Sequence, residues 1–191
     1  MTVAGGIGRS DTPGVSPRSS RSLQRLAIEV DGWLQLGCAE KALERLQPLT
    51  ETPGTRELGM ALKTRALIEL RRHDDALRCV RTLRRMGHGD VEWLEVTEAW
   101  CRKRLDDLPG AIQCIRRLLD HREASAIGHF NLGCYLALAG DPDAAITAVQ
   151  KACAIDPDFA QLAQDEPDLD GIRRLPGFPR PAALRHGSEG A

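Results

Sequence analysis

The chain has 191 residues, a formal net charge of −1, 28% charged residues and only 4% aromatic ones. That length supports one domain with a real core, and the scarcity of aromatics leaves the core to Leu, Ala, Ile and Val, which suits close-packed helices better than a β-sandwich. The balanced charge offers no bulk field to nucleic acid, and the absence of a long apolar run argues against a membrane span or a secretory leader.

Residues 1–22 are rich in Gly, Pro, Ser and Arg and bury little, so a disordered tail is expected there. Segments able to form two helices each then begin at Leu23, Glu57, Glu92 and Ala126, at intervals of about 34, 35 and 34 residues. The twentieth place of each holds Ala42, Ala76, Ala111 and Ala145. Four places on stand Leu46, Val80, Ile115 and Val149, and three further on Leu49, Leu83, Leu118 and Ala152. The units are therefore expected at 23–56, 57–91, 92–125 and 126–157, stacked as repeats. The extra residue of the second unit falls in Gly87-His88-Gly89-Asp90, a natural loop. Asp107 and Asp141 are placed to cap second helices, with Pro109 and Pro142 in the first turns.

Residues 158–178 are expected to cap the stack through Phe159, Leu162, Leu169, Ile172, Leu175 and Phe178. Asp165, Glu166, Asp168 and Asp170 would keep its outer side wet, and they lack the spacing of a calcium loop. Residues 179–191 form a second tail.

The fourth unit carries Leu132-Gly133, Leu136, Gly140, Ala145, Val149, Ala152 and Pro157. On these residues the chain resembles the tetratricopeptide repeat family. The first unit matches with Val30, Trp33 and Gly37, and the second with Thr64 and Leu67. The third is weakest, with Arg102 at a large apolar place and Asp106 at a turn glycine. The resemblance implies an all-α, right-handed α-solenoid of about four helix-turn-helix units with a C-terminal capping segment. It also implies that the first helix of each unit lines a concave groove that holds another protein.

Carried onto this chain, the groove places give Arg65, Trp93, Val96, Trp100, Lys103, Arg104, Ile127, Phe130, Cys134 and Leu138. Trp93, Val96, Trp100 and Lys103 share one helical stripe, and Trp is enriched at binding hot spots. Such a surface would suit an amphipathic helix or an extended segment with apolar anchors and an acidic neighbour. The alternative for the two tryptophans is packing against neighbouring helices.

The expected function is thus a non-catalytic adaptor or small chaperone for a peptide or helix of another protein, monomeric and without cofactor or metal. A different reading is self-assembly through the open first unit, with Trp33 and Leu34 as its surface. Another is RNA binding through Arg78, Arg81, Arg84 and Arg85 on the convex side, a run better explained as a solvated helix face for want of interleaved aromatics. No nucleophile, phosphate-loop or metalloprotease pattern occurs. Six cysteines show no C-x-x-C pair and no ligand spacing with the five histidines, consistent with reduced thiols in the cytoplasm.

Overall fold

The computed structural model describes residues 17–181, so the expected tail residues 1–16 and 182–191 lie outside the described residues. Every regular element among the described residues is helical. The first unit holds α1 (Pro17–Gln35), α2 (Ala39–Arg45) and α3 (Gln47–Glu51). The second holds α4 (Arg56–Glu69) and α5 (His73–Arg85), the third α6 (Val91–Arg104) and α7 (Leu108–His121), the fourth α8 (Ala126–Leu138) and α9 (Pro142–Ile155). α10 (Phe159–Asp165) and a 3-10 turn (Pro167–Leu169) follow. Helices adjacent in the chain pack as pairs and the pairs stack, giving an α-solenoid. α1 begins at Pro17, inside the stretch expected to be a tail.

The periodic places form the core. Ala42, Ala76, Ala111 and Ala145 are all fully buried, as are their Leu, Val and Ile companions four and seven places on. Small residues there let the two helices of a unit approach closely. Gly133 makes the tightest such approach within the fourth unit: a Cβ on it would lie 2.5 Å from Cγ2 of Val149.

The second helix of the first unit is interrupted at Leu46. Pro48, in the first turn of α3, has no N–H for the carbonyl of Glu44, and its ring crowds that carbonyl. Carbonyls left open at the end of α3 are met from outside the helix. Arg56 donates to those of Thr50 (3.1 Å) and Glu51 (3.0 Å), and Thr55 Oγ1 donates to that of Leu49 (2.9 Å).

Side chains cap the later helices. Asp90, Asp107, Ser125 and Asp141 accept from the backbone N–H of Trp93, Gly110, Gly128 and Ala144. The turns inside the units need a left-handed residue, supplied by Gly37 (φ 70°) and Gly140 (φ 82°) in the first and fourth units. Arg71 (φ 57°) and Asp106 (φ 60°) hold the same conformation in the second and third.

Polar links repeat with the units. Glu57 accepts from the backbone N–H of Gly89 (3.0 Å), and Glu92 accepts from Ser125 Oγ (2.6 Å), each tying the start of one first helix to the approach of the next. At the C-terminal end Phe159, Leu169, Ile172 and Phe178 are buried as expected of a cap, whereas Leu162 and Leu175 face outward. The six cysteines are unpaired thiols.

Candidate interaction surfaces

The first helices α1 and α4 touch one another, as do α6 and α8, and the expected groove residues divide along them into two groups. Toward the C-terminal end, Phe130 is buried with its ring 5.0 Å from that of Phe159, and Cys134 is buried beside it. Lys103 forms an ion pair with Asp168 and lies 6.0 Å from the Tyr135 ring centre. These groove places are covered by the chain's own C-terminal segment. Asp168, expected on the wet side of the cap, is turned inward. Burial, followed by the nearby carboxylates of Glu166 and Asp168, pushes the Cys134 thiol far above its ordinary pKa.

Toward the N-terminal end the face is open. Trp100 is half-buried, with His73 edge-on at 5.2 Å and the Arg104 guanidinium 5.0 Å above its ring. Burial, then Arg104 and Arg71, lower the His73 pKa. Arg65 is exposed and reaches Asp31 (2.9 Å) and Glu69 (3.3 Å). Trp93 is also half-buried, packed against the cluster of Val80, Leu83 and Leu94, while Trp100 packs with Leu67, Leu77 and Cys101. The two tryptophans therefore belong to separate clusters rather than one aromatic patch. Val96 and Ile127 are half-buried against the core, and Leu138 is exposed.

The opposite side carries a feature that the periodic core places do not reveal. The fourth, seventh and eleventh places of each first helix face a crevice between consecutive second helices. They hold Met60, Lys63 and Leu67 on α4, Glu95, Glu98 and Arg102 on α6, and His129, Leu132 and Leu136 on α8. In the middle crevice two buried carboxylates meet arginines from three helices. Arg84 of α5 bridges Glu95 (3.1 Å) and Glu98, Arg102 holds Glu98 at 2.8 Å and Asp107 at 2.5 Å, and Arg117 of α7 holds Glu95 at 2.9 Å. Arg81 lies 3.6 Å from Glu98. Charged groups this deep persist because each is paired.

Glu95, Glu98 and Cys114 offer ligand atoms within 4.8 Å of one another. Their oxygens already accept from guanidiniums, and Arg117 also reaches Cys114 Sγ at 3.2 Å, so a cation entering there would meet several positive charges. The same pairing answers for the convex arginines. Arg78 is paired with Asp75, and Arg81 and Arg84 with the buried glutamates, while Arg85 donates to Thr82. The run expected to be a solvated face is largely engaged in ion pairs.

Stacked helix pairs of this length, with an inner face and crevices on the outer one, define an α-solenoid scaffold. Residues 126–159 match the family model described as Tetratricopeptide repeat. The whole stack resembles solved structures of MamA (TM-score 0.60, 17% identity, covering 75% of this chain and 85% of that one; and TM-score 0.63, 16% identity, 81% and 85%). It also resembles YrrB, described as a TPR protein with an unusual peptide-binding site (TM-score 0.57, 12% identity, 80% and 87%). No curated protein matches the chain in sequence. Residues 126–159 thus match a tetratricopeptide repeat, and the solved structures show the same helical fold over about three quarters of the chain or more. Among the described residues no helix is long and apolar enough to cross a membrane.

Proposed function

We propose that this chain is a non-catalytic, cytoplasmic adaptor that holds a peptide or helix of another protein on the open inner face of its second and third units. The observation that carries this is Trp100, half-exposed on that face with the Arg104 guanidinium over its ring and no covering segment among the described residues. An aromatic anchor beside Arg104 and Arg65 favours a partner with an apolar residue next to an acidic one. YrrB, a fold relative, is described as having a peptide-binding site, which supports the same class of activity. Because Phe130 and Cys134 lie under the C-terminal segment, the bound partner is confined to the units before them. A chaperone role would require the same face to shield an apolar segment.

The test compares wild type with a Trp100→Ala/Arg104→Ala variant, shown to be folded by circular dichroism, in affinity capture from source lysate. A protein held only by wild type identifies the partner and assigns it to this face. Equal recovery by both overturns the inner-face assignment.

End-to-end stacking of copies is a second reading, favoured by Ile28 and Leu36, each 73% exposed on the first unit, and by Leu162 and Leu175 at the far end. Trp33 and Leu34 do not provide that surface: Lys41 lies 4.8 Å over the Trp33 ring, and Leu34 is buried. A monomer by light scattering at high concentration removes this reading.

A further inference from the structure

The three outer crevices are the same place in the repeat and differ only in chemistry. The last is floored by Leu132 and Leu136, with His129 Nε2 2.9 Å from the carbonyl of Glu123, and needs no counter-charge. The middle one places Glu98 at the seventh position and answers it with guanidiniums from its own helix and a flanking one. The first places Lys63 at that position and answers it with nothing. Among the described residues no carboxylate forms an ion pair with Lys63, a half-buried residue. The acids nearest in the cleft are engaged elsewhere, Asp75 by Arg72 and Arg78, and Glu51 by Gln47. A cation without a carboxylate partner is free to pair with one that an incoming segment brings.

Lys63 stands in an open cleft of about 580 Å³ beside the break between α2 and α3. Met60 and Leu67 flank it on the floor, and Leu43 and Leu46 form one apolar wall. At the rim, Thr50 Oγ1 donates to the carbonyl of Gln47 (2.9 Å) and keeps the capacity to accept an N–H. A polar rim around a short apolar floor fits a peptide backbone with one side chain inserted better than it fits a free acid.

We propose that this cleft is a second docking site, on the outer face between the first and second units, for an acidic segment of a partner protein. A Glu or Asp side chain of the segment pairs with Lys63, and an apolar neighbour lies on Met60 and Leu43. The site is separate from the inner face and does not depend on it.

The probe is a dye-labelled synthetic extended peptide of Leu, Ser and Glu, with a copy in which every Glu is Gln. Binding to the full chain is read by fluorescence anisotropy. The acidic peptide is expected to bind, the Gln copy to bind about tenfold or more weakly, and Lys63→Met to lose a similar factor. Lys63→Arg should retain binding, and Lys63→Met should lose the same factor in a Trp100→Ala/Arg104→Ala background, where the inner face no longer contributes. Lys63→Met should melt at or above the wild-type temperature, since no internal partner is lost, so reduced binding would not be misfolding. The proposal is overturned by equal binding to Lys63→Met, by equal binding of the Gln peptide, or by no binding at all. Loss only in the inner-face variant overturns it as well. Lys63-dependent binding of octanoate without any peptide binding overturns the peptide as occupant.

Discussion

Lys103 of α6 holds Asp168 of the C-terminal segment across 65 positions of chain. Both side chains are largely buried, and the contact closes the segment over Phe130 and Cys134. Asp168→Asn should lower the unfolding free energy by about 1–2 kcal/mol, because it leaves a partly buried ammonium without its partner. Urea titration checks that value. The same variant should react faster at Cys134 with an aromatic disulfide reagent, since the segment now shields that thiol and keeps it protonated. Unaltered reactivity would mean that the segment stays closed without the pair.

Glu98 governs the response to acid. Burial alone would raise its pKa, but hydrogen bonds from Arg84 and Arg102 outweigh burial and hold the carboxyl below its ordinary 4.5. A group depressed in the folded state contributes stability above its unfolded pKa and loses it as pH falls through the folded one. Asp75 and Asp107, held low first by arginine, and Asp90, held low first by the Trp93 N–H, act in the same direction. The melting temperature should therefore fall as pH drops from about 5 toward 3. Glu98→Gln should cost about 3 kcal/mol at neutral pH and flatten that fall. A variant with the full wild-type pH slope would remove Glu98 from the explanation.

Two turns carry strain that glycine would relieve. Arg71 is exposed in the left-handed conformation, which costs a residue with a Cβ about 1–2 kcal/mol. Arg71→Gly should raise stability by about 0.5–1 kcal/mol, after allowance for the greater freedom of glycine in the unfolded chain. Asp106→Gly should gain less, because aspartate tolerates this conformation better than arginine does. Calorimetry of the two variants gives the order.

The repeat was legible because its core uses the same small and aliphatic residues at the same places, and Ala42, Ala76, Ala111 and Ala145 all end up fully buried. Arg102 was visible as a mismatch in the third unit. The reason for it was not, because its partner Asp107 read only as a helix cap and nothing in the pattern marked Glu98 as buried. A signal existed: Glu95, Glu98 and Arg102 occupy the fourth, seventh and eleventh places, where α8 carries His129, Leu132 and Leu136. The groove list named residues on one face, but which of them stay open depends on where the C-terminal segment folds. That is decided by Phe159 and Asp168, far from α6 and α8 in the chain, and periodicity within a helix carries no such information. Pro48 carried a signal for the break between α2 and α3, but the expectation of two helices per unit did not include it.

The indole environments make a further check. Cations lie over two of the three tryptophans, Lys41 over Trp33 and Arg104 over Trp100. Iodide should quench the emission more strongly than caesium does, and Arg104→Ala should narrow the difference. Equal quenching by both ions would contradict these contacts.

Gly59 and Gly133 test close approach. A Cβ on Gly133 would press mainly on the Val149 side chain, whereas one on Gly59 would lie 2.7 Å from the backbone carbonyl carbon of Leu49 and 2.8 Å from the backbone nitrogen of Thr50. Side chains yield more readily than backbone. Gly133→Ala should cost about 1–2 kcal/mol and Gly59→Ala about 2–3 kcal/mol, measured by chemical denaturation.

The buried glutamates of α6 bear on assembly order as well as on stability. Similar helix pairs strung along one chain risk docking against the wrong neighbour as they fold. Glu95 finds both its guanidiniums only when α5 lies on one side and α7 on the other, and Glu98 needs α5 to complete the pairing that Arg102 of its own helix begins. Any other arrangement would leave carboxylates short of partners in a dry joint. The middle of the stack is keyed like a lock, and the sequence of units cannot be shuffled without breaking it.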